Sequence, residues 1–286
     1  MKNICIVTDE NAGFKKEEIS GLPIYIIRMP ILIDGECFFE SSISEDDFYK
    51  KQEENENICT SQPSPGEVMT LWDELLKKYD AILHIPMSSG LSASCETAKT
   101  LAEDYKGKVY VIDNHSISLT LKRSVLNALN LINNGKSPEE IKEILEKEFE
   151  QTSIYIMVDT LTYLKRGGRV STTSAIIGNT LHIKPILAIN GYKLEAVAKA
   201  IGLKNAKKTI FELIKTDLET KFKDIPFDEL EFGLAYTHNL QGANVFKEEF
   251  INEFKPKSFK MDPLSLSIAT HIGPGSLALT ISRIIK

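Results

Sequence analysis

Apolar residues gather first into short runs. Ile4 to Val7, Ala81 to Met87 and Val109 to Asp113 are brief, apolar and bounded by polar or turn residues, the pattern of buried strands. Ile24 to Ile33 supplies more strand, ending at the turn signal Asp34-Gly35. Helix starts stand between these runs. Ser44-Glu45-Asp46-Asp47, Ser64-Pro65-Gly66-Glu67 and Ser137-Pro138-Glu139-Glu140 each put a capping hydroxyl three residues before a carboxylate. The spacing predicts helices over 47–54, from Pro65 to about Tyr79, over 94–105 and 119–133, and from Pro138 to near Glu150. A polar loop is expected from Asn55 to Gln62. Alternating strands and helices imply a largely parallel α/β sheet. Such sheets take ligands beyond the carboxyl ends of their strands, here the loops after Val7, Met87 and Ile112.

The second half reads differently. Ile154 to Asp159 predicts a strand and Leu161 to Lys165 a short helical turn. Thr173 to Leu181 is apolar and predicts a helix. Pro185 to Ile189 and Tyr192 to Val197 flank Asn190-Gly191, a hairpin signal. Ile210, Leu213, Ile214, Leu218 and Phe222 form a helical stripe facing a core. Glu231 to Tyr236 predicts a strand, Ala243 to Glu253 a helix, Leu264 to Thr270 a strand, and the residues after Ser276 a terminal helix. A hairpin and separated strands indicate α+β with a mainly antiparallel sheet.

At 286 residues the chain has room for two domains of roughly 150 residues each. The change of pattern puts the boundary near residue 152, giving 1–152 and 153–286. Net charge −6 argues against a nucleic-acid binder, which carries a basic face. Cys5, Cys37, Cys59 and Cys95 stand alone, without the spacing of a zinc ribbon, a redox pair or a disulfide scaffold. The run Ile4 to Val7 is too short for a signal peptide, and Arg28 and Pro30 interrupt the longest apolar stretch. A cytoplasmic protein without stable membrane insertion is expected.

Four constellations can carry chemistry. Thr60-Ser61-Gln62-Pro63 puts two hydroxyls just before a helix N-terminus, where free N–H groups favour an anion. Ser88-Ser89-Gly90-Leu91-Ser92-Ala93-Ser94 joins a strand to a helix and nearly matches the G-x-S-x-G elbow of serine hydrolases, lacking the second Gly. Gly167-Gly168-Arg169 offers a tight turn beside a permanent cation. His271-Ile272-Gly273-Pro274-Gly275-Ser276 puts a histidine beside a glycine turn. Gly273, Gly275 and Ala278 mimic a dinucleotide fingerprint, but only eight residues remain after Ala278, so that reading fails. Each of these has a plainer reading as a cap, a turn or a structural histidine. His84, His115, His182 and His238 show no metal-ligand spacing, and a P-loop is absent, so no metal, cofactor or ATP site is expected on this chain. From these residues a carrier, a serine hydrolase using Ser92 with His271, and a small-anion-binding module all remain open.

Taken in order, T-D near the start, T-S-Q-P-S-P-G-E, S-S-G-L-S-A-S, V-D-T-L-T-Y-L-K-R-G-G-R-V-S, L-H-I-K-P-I-L with N-G, and H-I-G-P-G-S resemble the DegV family, the fatty-acid-binding subunits of bacterial fatty acid kinase. The blocks from Asp159 to Leu187 and from His271 to Ser276 carry most of the resemblance. It implies a Rossmann-like N-terminal domain with a mainly parallel sheet, an α+β C-terminal domain, and a long-chain fatty acid such as palmitate, stearate or oleate bound between them. It implies that Thr60 and Ser92 meet the carboxylate, with Ser61, Gly168, Arg169 and His271 near the head group. It also implies no catalytic residue on this chain, and an ATP-dependent kinase subunit as partner that phosphorylates the bound acid. Ala93-Ser94-Cys95, Glu10-Asn11-Ala12-Gly13, Asn114-His115 and Lys199-Ala200-Ile201-Gly202 depart from the usual family pattern.

Overall fold

A computed structural model describes residues 2–54, 57–170, 183–190 and 193–286. The first half contains strands β1 (Ile4–Asp9), β2 (Ile24–Ile27), β3 (Ile31–Ile33), β4 (Glu36–Phe38), β5 (Ile58–Thr60), β6 (Ala81–Ile85) and β7 (Val109–Val111). Its helices are α1 (Glu45–Glu54), α2 (Pro65–Leu75), α3 (Ser94–Ala102), α4 (Leu119–Asn133) and α5 (Pro138–Lys147). The second half contains β8 (Thr152–Met157), β9 (Ile183–Asn190), β10 (Lys193–Ile201), β11 (Leu230–Tyr236), β12 (Phe259–Pro263) and β13 (Leu277–Arg283). Helices α6 (Thr162–Arg166), α7 (Leu203–Glu219), α8 (Leu240–Phe254) and α9 (Leu266–Ile272) accompany them.

Strands β2-β1-β6-β7 form a parallel sheet covered on both faces. Alternate residues of β1 serve opposite layers. Cys5 and Val7 pack with Trp72, Val68 and Leu75 of α2, whereas Ile4 and Ile6 join the layer of α4 and α5. Double coverage is why these strands read as unbroken apolar runs. Capping boxes at Ser64/Glu67 and Ser137/Glu140 start α2 and α5 as their spacing predicts. A small antiparallel sheet, β4-β3-β5, flanks this layer.

The second sheet runs β10-β9-β8-β13-β11-β12 and is antiparallel except where β11 and β12 pair in parallel. Tyr155, Met157, Leu277, Leu279, Ile281, Phe232 and Leu234 point to one face, against α7 and α8. Ile154, Ile156, Leu187, Leu194, Ala235 and Ala278 point to the other, toward the first half.

Three expectations are corrected. Residues 264–270 do not form a strand: Ser265 caps the N-terminus of α9 by accepting from the Ile268 amide. The terminal segment is β13 rather than a helix, because its alternating Leu277, Leu279 and Ile281 fill one face of a sheet. Within the expected 55–62 loop, Ile58 to Thr60 pairs with Ile33 to Ile31 as β5. The helix expected over 173–181, His182 and the Gly191 turn lie outside the described residues, although β9 and β10 pair as the hairpin requires.

Polar contacts rivet the two halves. Arg123 of α4 makes a two-pronged, buried pair with Glu231 of β11. Lys122 Nζ donates to Asp262 at 2.9 Å across the seam and to Glu18 of its own half at 2.8 Å. Gln52 Nε2 donates to the Ala269 carbonyl at 2.8 Å. Removing one partner of a buried pair strands the other charge, at a cost of about 3–5 kcal/mol. Arg123→Ala therefore lowers the urea midpoint strongly, whereas Arg123→Met with Glu231→Leu recovers most of the loss. Equal losses in the single and double variants would exclude a stranded Glu231 as the cause.

Candidate functional site

Between the parallel layer and the open face of the six-stranded sheet lies a cavity of about 370 Å³, within the usual range of ligand pockets. All three loops at strand carboxyl ends reach it, through Asn11, Leu91 with Ser92, and Ile117 with Ser118. The sheet supplies its floor in two pleat rows. One row pairs Ile156 with Ala278 and Ala278 with Ala235, with Ile189 of β9 and Leu194 of β10 lining the cavity beside it. The next pairs Ile154 with Thr280, and Thr280 with Gly233. Side chains shrink from β9 and β8 toward β13 and β11, so the floor drops to a trough.

One end of the cavity is polar. Thr60, Ser61, Gln62, Ser92, Thr97, Arg169 and His271 all border it. The structure thus brings together five of the six sequence-predicted site residues, and Gly168 adjoins them in the turn before Arg169. Thr60 Oγ1 and His271 Nε2 lie 2.8 Å apart, across 211 residues of sequence. Arg169 donates from Nε to the Leu91 carbonyl at 3.4 Å and from Nη1 to the Gly167 carbonyl. Its guanidinium thereby ties the Ser92 loop to α6. Ser92 Oγ accepts from the Ser94 amide at 3.2 Å, and Thr97 Oγ1 donates to Gln62 Oε1 at 2.9 Å. Arg169 is the charged side chain on the described lining, which carries no carboxylate.

Glycines hold this end together through close contact, a role that spacing alone conceals. A Cβ on Gly167 would stand 2.2 Å from His271 Nδ1, and one on Gly273 would stand 2.2 Å from the Tyr163 ring. One on Gly275 would stand 2.8 Å from the Asp159 carboxylate. The Asp159–Arg169 segment and the His271–Ser276 turn are therefore two halves of one interlock. Gly168, at φ +68°, turns the chain so that Arg169 faces inward.

Electrostatics keep the histidine neutral. Burial, together with the nearby Arg169 guanidinium, pushes the His271 pKa down to about 4. Burial raises the Asp9 carboxyl to about 6, while its two oxygens accept from the Met87 and Asn11 amides and fix two of the loops. His271 Nε2 faces Thr60 rather than Ser92, and Nδ1 has no hydrogen-bond partner among the described residues. A hydrolase needs its base on the nucleophile and an orienting group on the base, and the described residues set up neither. Away from the cavity, the fold gathers Cys95, Glu96 and Asp113 in a way their spacing does not reveal. Lys99 Nζ already serves that cluster, 2.7 Å from Glu96 and 3.3 Å from Asp113, and burial raises the Cys95 thiol to about 12.

With this geometry in hand, a family profile described as "Uncharacterised protein, DegV family" matches residues 3–283. The chain belongs to the DegV family. This DegV chain is 32% identical over 283 residues to Protein DegV of Bacillus subtilis, covering 97% of this chain and 98% of that one. Its fold matches a Thermus thermophilus DegV family protein, described by its fatty acid binding, at TM-score 0.90 and 25% identity, covering 98% and 99% of the two chains. It also matches Bacillus subtilis DegV, described as a fatty acid binding protein, at TM-score 0.86 and 30% identity, covering 99% and 100%. Among the described residues, no helix is long and apolar enough to cross a membrane.

Two outcomes test this geometry. Gly167→Ala forces His271 to move, so the imidazole resonances shift, while Gly66→Ala, where an added Cβ meets nothing within 4 Å, leaves them in place. In nitrogen-detected NMR the His271 ring titrates near pH 4, and a midpoint above 6 would contradict the buried, neutral assignment. Because the folded pKa lies below the unfolded value, the unfolded chain takes the proton first. The stability contributed by neutral His271 is full above about pH 6.5 and falls as pH drops toward 4.

Proposed function

We propose that this DegV chain binds a long-chain fatty acid between domains 1–152 and 153–286 and presents its carboxylate to a separate ATP-dependent kinase subunit. The observation carrying this reading is a cavity with an apolar trough at one side and Thr60, Ser92, Arg169 and His271 gathered at its polar end. The similar proteins described as fatty acid binding point to the same class of ligand. Palmitate, stearate and oleate are the expected occupants.

The ligand's two ends do different work. Each buried CH₂ contributes about 0.8 kcal/mol, so an acyl chain of roughly 15 carbons supplies on the order of 12 kcal/mol before the costs of association. Hydrogen bonds to a charged head add ~1.5–3 kcal/mol each. The tail supplies affinity and the head sets register. For Thr60 to donate its proton to the carboxylate, it must accept from His271. The imidazole therefore carries its proton on Nε2 and leaves Nδ1 bare, in keeping with the absence of a partner there among the described residues. Arg169 balances the carboxylate charge. Among the described residues no lining carboxylate opposes it.

Presentation follows from exposure. Ser61, Ala93 and Gly168 around the polar end are exposed, whereas the trough residues Ala235, Ala278 and Thr280 are buried. A kinase active site can reach a carboxylate oxygen from that side and align it with the γ-phosphate. This chain contributes binding and orientation, and the partner contributes ATP and the phosphoryl-transfer machinery.

Native mass spectrometry of the purified protein is expected to show one co-purified acyl chain. Thr60→Ala and Ser92→Ala each weaken palmitate binding by about 10- to 100-fold, one charged hydrogen bond's worth. Arg169→Ala lowers acyl-phosphate formation with a partner kinase more than it lowers binding. A protein that is empty on purification and ignores added palmitate and oleate would overturn the reading.

A further inference from the structure

Two hydroxyls on the cavity wall are not used by the head group. Thr280 sits in the apolar floor of the six-stranded sheet at 3% exposure. Its neighbours in register are Ile154 and Gly233. Its Oγ1 leans over Gly233, so close that a Cβ there would stand 2.8 Å away. The hydroxyl has no hydrogen-bond partner among the described residues, although Val would present the same shape without it. Ser118, at the start of α4, also borders the cavity and makes no capping bond with its side chain. The side chain of Leu119, the next residue, reaches the same Gly233 that Thr280 Oγ1 leans over. The remaining polar groups on the tail side are engaged: Asn11 Oδ1 accepts from Ser265 at 2.7 Å and from Ser267.

A hydroxyl that lines an apolar floor with no partner among the described residues gains a hydrogen bond from a ligand that brings a polar atom to it, and meets only hydrocarbon otherwise. Thr280 is the fourth residue of β13, roughly 14 Å at strand rise from Ser276, which ends the turn that follows His271. A polar atom meeting it therefore belongs to the middle of an acyl chain. We propose that Thr280, with Ser118, forms a second polar subsite that reads a hydroxyl group carried near mid-chain, so that the cavity accepts hydroxylated long-chain acids in preference to their saturated parents. The inference rests on the fatty-acid reading and deepens it by naming a subclass of ligand.

The test compares stearate with hydroxystearates bearing their hydroxyl near mid-chain, using the full chain stripped of lipid and titrated by calorimetry. The wild type is expected to bind one such isomer roughly three- to tenfold tighter than stearate, the worth of one neutral hydrogen bond. Thr280→Val removes that preference while retaining stearate binding, which also shows that the variant folds. Ser118→Ala reduces the preference in the same direction. An equal ratio of the two affinities in wild type and Thr280→Val would overturn the subsite while leaving fatty-acid binding intact. Failure of both acids to bind the wild type would overturn the fatty-acid reading, and the subsite with it.

Discussion

Thr60 and His271 meet across the seam of the molecule at 2.8 Å, and the polar end of the cavity depends on that contact. Thr60 arrives on the last residue of a three-residue strand, and His271 on the last turn of a seven-residue helix. Neither element is long enough to hold its side chain alone. Gly167 completes the arrangement by lacking the side chain that would occupy the imidazole's position. Burial then keeps the ring neutral, and Arg169 is left as the local cation.

An internal cavity forfeits packing contacts along its whole lining, so the surrounding layers must be firm. Each sheet is packed tightly on its far side: Trp72 fills the layer behind the parallel sheet, and Phe232, Phe246 and Phe250 fill the layer behind the six-stranded one. At the seam, apolar packing between the halves, such as Leu119 and Leu121 with Ile154 and Ile156, is joined by polar contacts placed around the cavity, from Arg123 with Glu231 to Asn11 with Ser265 and Ser267. Hydrogen bonds fix geometry without filling space, which suits a seam that has to leave room for a ligand.

Much of this was legible in the sequence because the first half follows local rules. The boxes at Ser64 and Ser137 and the unbroken runs of β1 and β6 leave little choice of structure. The stretch over 264–283 was not legible, because Leu264, Leu266 and Ile268 alternate with Ser265 and Ser267, the period of a strand, although the segment is a short helix. Its Ser265 cap, which accepts from Ile268, was the available signal. For the site, motif order gathered Thr60, Ser92, Arg169 and His271, but not the reason for their glycines. That reason lies in contacts more than a hundred residues apart, such as Gly167 against His271. The trough was equally hidden, because Ala235 and Ala278 acquire meaning only when register puts them side by side.

A crystal structure of the chain grown with palmitate tests the central claim most directly. The account predicts carboxylate oxygens within hydrogen-bonding distance of Thr60 Oγ1 and Ser92 Oγ, with the hydrocarbon lying over Ala278 and Ala235. A palmitate bound in the opposite sense, with its methyl end at Thr60, or seated outside the seam altogether, would contradict it.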